Sequence, residues 1–403
     1  MKETREPMSQ VRDTFKVSWY RSPIAPDRLK GLTTRSNLRG ALQALGFLAL
    51  VVVVGAAAWY FYAVHFWALM AVALFLYGTI YSFIPGLVTH ELSHGTVFKT
   101  KWLNAVFLRF YSLLGWTNFY QYKRSHTFHH LFTLHPRGDR EVVLPMAPSL
   151  HPLRLFLLFT FNFEALWIFV SSTIRLAFTG KFSNEWSEAV FPHEEPGTRR
   201  EAIGWAWAIL AFHSTIIAVT IIFRVWPLAV LVTFGMFFAN WWTYFVGLPM
   251  HNGLRDNVAD FRLCCRTITL DPFSRFIYWH MSWHTEHHMY AAVPCYNLRR
   301  LADTIAADMP APRSLIAAWK EMRQTWHRQK KEPKYQFDTP LPQKPTQKPK
   351  GGKSAQDPLG SSLGNLAPKG LDQAGLRFLL QRRVGFEVQN GALGGKPCGG
   401  YAE

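Results

Sequence analysis

The chain has 403 residues, only 17% of them charged, with 16 Trp, 32 Phe and a formal net charge of +18. That is little charge and much aromatic surface for a soluble globular protein. The basic residues sit beside apolar runs, which argues against a nucleic-acid binder and fits anionic lipid at a membrane surface. The four cysteines are the adjacent Cys264 and Cys265, with Cys295 and Cys398 apart, and they show neither a zinc spacing nor a disulfide framework.

In chain order, residues 1–40 form a basic segment with Lys16, Arg21, Arg28, Lys30, Arg35 and Arg39. It also holds Glu3, Glu6 and Asp13 and lacks an early apolar run, so no cleaved signal or transit peptide is expected. Residues 41–64 and 66–88 are uncharged and separated by His65. Each is about 20 residues or longer, enough to cross a ~30 Å hydrocarbon core as a helix, and together they read as a hairpin. Residues 102–119 are apolar but contain Arg109, and 153–178 contain Glu164 and Arg175. Charge inside lipid is costly, so 102–119 reads as an interfacial or re-entrant helix and 153–178 as helices lying along the interface, with a span as the lesser option.

Residues 202–223 and 226–248 form a second apolar hairpin with Arg224 at its turn. The two hairpin turns carry little charge, whereas the N-terminus, residues 95–150 and everything beyond 250 are basic. The positive-inside rule then places these regions, and both chain ends, in the cytoplasm. Residues 255–340 read as a helical cap. From about Pro340 to 403 the chain is rich in Pro, Gly, Lys and Gln and is expected to be disordered. The expected fold is all-α: a membrane domain over 41–339, four spans in two hairpins, and a cytoplasmic histidine-rich cap.

Three histidine sets lie on that cytoplasmic side: His90 and His94; His126, His129 and His130; and His284, His287 and His288. Spacings of i, i+3 and i+4 put each set on one helical face. Neutral imidazole suits zinc, copper, iron or nickel, and eight imidazoles exceed the needs of one ion, which points to two metals with a position left open for chemistry. Alone, His90-Glu91-Leu92-Ser93-His94 also matches the H-E-x-x-H pattern of zinc peptidases, with Glu91 as general base. A peptidase gives no reason for the other two sets.

The order H-x-x-x-H, H-x-x-H-H, H-x-x-H-H around apolar hairpins resembles the membrane fatty acid desaturase family. His90 to Phe98, Tyr122 to His130 and Trp283 to Leu298 carry the likeness, which extends over about 40–330. The resemblance implies a pair of non-haem irons, O₂ as co-substrate, and a double bond placed in a long acyl chain. It also implies a separate electron donor of cytochrome b5 or ferredoxin type with its reductase, and a bacterial inner membrane or endoplasmic reticulum location. Alkane- and lipid-hydroxylating relatives leave a hydroxylase as the second reading. The family also uses a ninth histidine before its third box, and His251 holds that place here. His280 is expected beside the site rather than in it, standing with Ala291 where many acyl-lipid desaturases carry asparagine and proline. Glu91, Asp139, Glu141, Asp256 and Glu286 could orient imidazoles through their second nitrogens. His65, His151, His193, His213 and His327 read as structural. His135-Pro136-Arg137-Gly138 is similar to a cytochrome b5 haem motif but has no such domain around it. Trp241, Trp242 and Tyr244 could line an acyl cavity or face lipid.

Overall fold

The computed structural model describes residues 6–191 and 196–342, so His193 and nearly all of the expected disordered tail lie outside the described residues. The fold is helical apart from a two-stranded parallel pairing of Ile268–Thr269 with Arg313–Ser314. Helix α1, Asn37–Ala63, begins where the Ser36 hydroxyl accepts the Arg39 N–H at 3.3 Å, satisfying a donor that the first turn leaves free. At 27 residues it is about 40 Å long by the helical rise, more than a bilayer core. His65, with φ 58°, makes the hairpin turn into α2, Trp67–Ser93.

Near its end α2 contains a π-helical turn, Ile84–Val88, built around Pro85. Proline has no N–H to give the regular ladder, and the wider turn re-aims the residues that follow, His90 and His94. Helix α3, Lys101–Leu114, lies across the bundle, and the Tyr111 hydroxyl donates to the Ala44 carbonyl of α1 at 2.6 Å. Helix α4, Phe119–Phe132, carries the second histidine set. Residues 152–179 form two helices, α5 (Pro152–Phe159) and α6 (Phe163–Thr179), with α6 capped by the Asn162 side chain accepting the Ala165 N–H at 3.0 Å. Helix α7 is Pro196–Phe223.

Among the described residues, three helices are long and apolar enough to cross a membrane: α1, α2 and α7. The expected fourth span, 226–248, is not one helix. It runs through the short helix Trp226–Leu228, a π turn at Ala229–Thr233, a 3₁₀ turn at Gly235–Phe237 and extended backbone at Phe238, and becomes helical again in α8, Trp241–Gly247. Ala239 sits at φ 43°. The cause is a competing partner for its backbone. Asn162 N–H donates to the Phe237 carbonyl at 2.8 Å, and Ala239 N–H donates to the Thr160 carbonyl at 2.7 Å. The break between α5 and α6 thus meets the break before α8, and each supplies hydrogen bonds that a helix would have supplied. The breach packs closely on α2, where a Cβ at Gly78 would lie 2.4 Å from the Phe238 carbonyl oxygen.

Leu38, Leu42, Val52, Val53, Leu69 and Val72 on the first hairpin, and Ile221, Ile222 and Phe223 on α7, are large, apolar and exposed. A continuous outward face of this kind suits lipid rather than water. The main core gathers inside it around Phe47, Phe83, Ile84, Tyr111, Tyr278 and Trp279. After residue 250 short helices fold back over the ends of α2 and α4, among them α9, His284–Met289, which bears the third histidine set, and α10, Leu315–Gln329.

Candidate metal centre

The structure brings all nine expected histidines together. The ligand atoms of His90, His94, His126, His130 and His287 lie within 4.8 Å of one another. A second nest holds His129, His251 and His288 within the same limit, and His284 joins it with Nε2 2.8 Å from His251 Nε2 and 3.1 Å from His288 Nε2. In the first nest His90 and His94 approach to 3.4 Å, His126 and His130 to 2.9 Å, and His130 and His287 to 3.2 Å, all between Nε2 atoms. Nitrogens bound to one first-row metal at about 2.0–2.2 Å stand roughly 2.9–3.4 Å apart. The nests therefore have the dimensions of two coordination shells.

Proton placement supports the same reading. His251 Nδ1 lies 2.8 Å from the Cys264 carbonyl, which can only accept, so this nitrogen carries the proton and Nε2 keeps a lone pair. His129 Nδ1 is 2.8 Å from Asp139 Oδ2 and His126 Nδ1 is 2.9 Å from Glu141 Oε1, which fixes both rings in the same sense. Lone pairs aimed at a shared point repel one another unless a cation lies between them, so the donor set fits two metal ions. Burial also keeps the imidazoles neutral: it pushes His94 and His251 down to about 3, and His126, His130, His284, His287 and His288 well below the usual histidine value. His129 is the exception: burial would lower it, but the charge and hydrogen bond of Asp139 together with the Glu141 charge raise it. Burial would raise Asp139 in turn, but the His129 imidazole and the Leu134 and Glu141 N–H groups hold it below the ordinary carboxylate range.

Of the five carboxylates considered as orienters, Asp139 and Glu141 serve in that way. Glu91 lies behind the first nest, its Oε1 3.1 Å from His90 Nδ1 and 3.6 Å from His287 Nδ1, both approaches poorly aligned for hydrogen bonds. From there it does not reach the side of the nest on which the Nε2 atoms converge, and His90 and His94 share their nest with three further histidines. Both facts count against the zinc-peptidase reading. Glu286 turns instead to the Thr267 hydroxyl at 2.5 Å, and burial raises it to about 7. Asp256 accepts from the Asn257 side chain. The orienting Cys264 carbonyl, and the Thr133 hydroxyl 3.2 Å from His288 Nδ1, were missed from sequence. Neither carries a type or spacing signal, since one is backbone and the other a common helix residue.

Among the described residues, the histidines left outside the site stay outside it. His213 stacks on Trp116 with ring centroids 3.9 Å apart, and its Nε2–H donates to the Leu113 carbonyl at 2.9 Å. His135 is buried edge-on against Phe15 and Trp19, its Nδ1 3.1 Å from the Phe132 carbonyl. His280, at φ 58°, makes no ring contact with the nine.

A cleft open to solvent reaches both nests. His90, His126, His129, His251 and His284 line its inner end, with Leu87, Val142, Met146, Leu248, Met250 and Met281 along the walls. Tyr244 is part of the lining. Trp241 is not, for it stacks on Phe159 at 4.9 Å and donates to Thr79 Oγ1 at 3.0 Å. A largely apolar cleft that reaches both histidine nests suits an apolar substrate. In comparisons with known proteins, the family described as fatty acid desaturase matches residues 65–320. No curated protein matches the chain significantly.

Proposed function

Since the chain belongs to the fatty acid desaturase family, we propose that it is an O₂-dependent desaturase placing a double bond in a long acyl chain, with two irons held by the two nests. Membership supports an oxidoreductase of desaturase or hydroxylase type that sits in a membrane. The observation that carries the finer reading is the pair of nests at the inner end of one apolar cleft. His90, His94, His126, His130 and His287 would hold one ion, and His129, His251, His284 and His288 the other. Bound there, the two irons would take electrons from a separate donor and supply an oxidant able to remove hydrogen from an unactivated methylene.

The chain's own residues do the rest. Asp139, Glu141 and the Cys264 carbonyl fix ring orientation by holding Nδ1 protons, so the Nε2 atoms need no reorganisation when metal binds. Leu87, Val142, Met146, Leu248 and Met250 exclude water and hold an extended acyl chain beside the nests. The cap and both chain ends would face the cytoplasm, where a cytochrome b5 or ferredoxin type donor could reach them.

The test is mass spectrometry of lipids from cells expressing the protein, with a His288→Ala strain as control, together with metal analysis of purified protein. About two irons per chain and acyl chains lighter by two hydrogens are expected. A hydroxylated product with no new unsaturation would give the case to the hydroxylase, and a single zinc without iron would sink the di-iron reading.

A further inference from the structure

Two glycines in the cleft have no structural reason to be glycine. Gly86, inside the π turn of α2, and Gly247, at the end of α8, both lie in helical backbone without a positive φ. Gly247 has φ −81° and ψ −43°, which any residue adopts. A Cβ built at either position meets nothing within 4 Å, so no neighbour requires the missing side chain. Gly55, Gly78, Gly115 and Gly138 differ, because a Cβ there would collide with a packed side chain or a carbonyl. Glycine in a helix weakens it relative to alanine, so these two positions carry a cost with no packing return.

Their placement supplies the reason. Both line the cleft, and each stands four residues ahead of a nest histidine, Gly86 before His90 and Gly247 before His251. Gly86 and His90, four apart in one helix, share a face, whereas a 3₁₀ turn, Leu248–Met250, separates Gly247 from His251, and their common lining of the cleft places them together. The two glycines thus remove side chains from the cleft walls beside the nests, one at each. A side chain at either position would occupy the space that a methylene must enter to lie within reach of the site, and ångström-scale displacement there decides whether hydrogen can be removed.

We infer that Gly86 and Gly247 set the width of the acyl path where it passes the two nests, and so are specificity-determining positions for an unbranched chain. The inference rests on the proposed lipid-oxidising function. The experiment compares Gly86→Leu and Gly247→Leu with Gly204→Leu, a control on α7 whose Cβ also meets nothing but which lies outside the cleft. Oxidised lipid from expressing cells, metal per purified chain and Tm are read for each. The cleft variants should yield at least tenfold less product than the unsubstituted protein, with metal and Tm retained, while Gly204→Leu keeps its yield. Gly86→Ala and Gly247→Ala should fall between. Undiminished product in the leucine variants overturns the inference, and so does loss of metal or Tm, since the glycines would then serve the site's assembly or the fold. Failure of the parent reading shows elsewhere, in the product of the unsubstituted protein. If that product is an alcohol, the glycines are tested on its yield in the same way.

Discussion

His251 and His213 separate what a residue's type discloses from what its partners disclose. Both are buried histidines in or beside apolar segments, yet one faces His284 Nε2 at 2.8 Å and the other stacks on Trp116. His251→Ala should abolish turnover and take bound iron from about two toward one per chain, since methyl cannot ligate. His213→Ala should keep both irons and lose roughly 1–3 kcal/mol of stability with its stack and hydrogen bonds, seen as a lower Tm. Full iron in the His251 variant would remove it from the site. The eight box histidines were legible because ligand spacing on a helix is a sequence property. The carboxylates were legible only in part. Glu286 is two residues from both His284 and His288, and such positions do not share a helical face, so it points to Thr267 instead. The Cys264 carbonyl left no trace in residue type.

At the scale of elements, hydropathy located the three long apolar helices and not the break in the run that follows α7. The run 226–248 has no charge to distinguish an unbroken span from kinked backbone, and the groups that break it, Thr160 and Asn162, are far away in sequence. Only after both breaks are paired does Gly78 acquire a meaning, as the point where Phe238 touches α2. Gly78→Val should force these elements apart, because its Cβ would sit 2.4 Å from a carbonyl oxygen that cannot rotate away. Overpacking of this kind costs about 1–3 kcal/mol or more. The expected outcome is a lower Tm in detergent and less folded protein in the membrane, with the loss in Gly78→Ala smaller. A Gly78→Val protein as stable as the parent would mean that the junction yields easily. The π turn at Ile84–Val88 was likewise hidden: Pro85 announces a disturbance of α2 without saying which way the following histidines turn.

For the whole molecule, the sequence supports a topology through its charge distribution: sparse charge at the turns near His65 and Arg224, and basic residues throughout the cap. In the folded chain the ends of α2 and α4, the segment containing His251, and α9 meet in one centre, so the topology we propose puts them on one side of the bilayer. That proposed topology, with α1 and α7 each leaving the cap side, predicts His65 and Arg224 on the opposite face. Single-cysteine labelling in sealed vesicles of known orientation tests this. Each variant is made in a Cys398→Ser background, in which the remaining native thiols, Cys264, Cys265 and Cys295, are buried and should give a low background, checked with Cys398→Ser alone. A membrane-impermeant maleimide should reach His65→Cys and Arg224→Cys from one side, and Arg299→Cys, exposed on the cap, from the other. Labelling of all three from the same side would refute the hairpins. Labelling of Arg224→Cys together with Arg299→Cys, and apart from His65→Cys, would show that α7 does not cross. The centre would then be held by a single hairpin, with α7 lying along the surface.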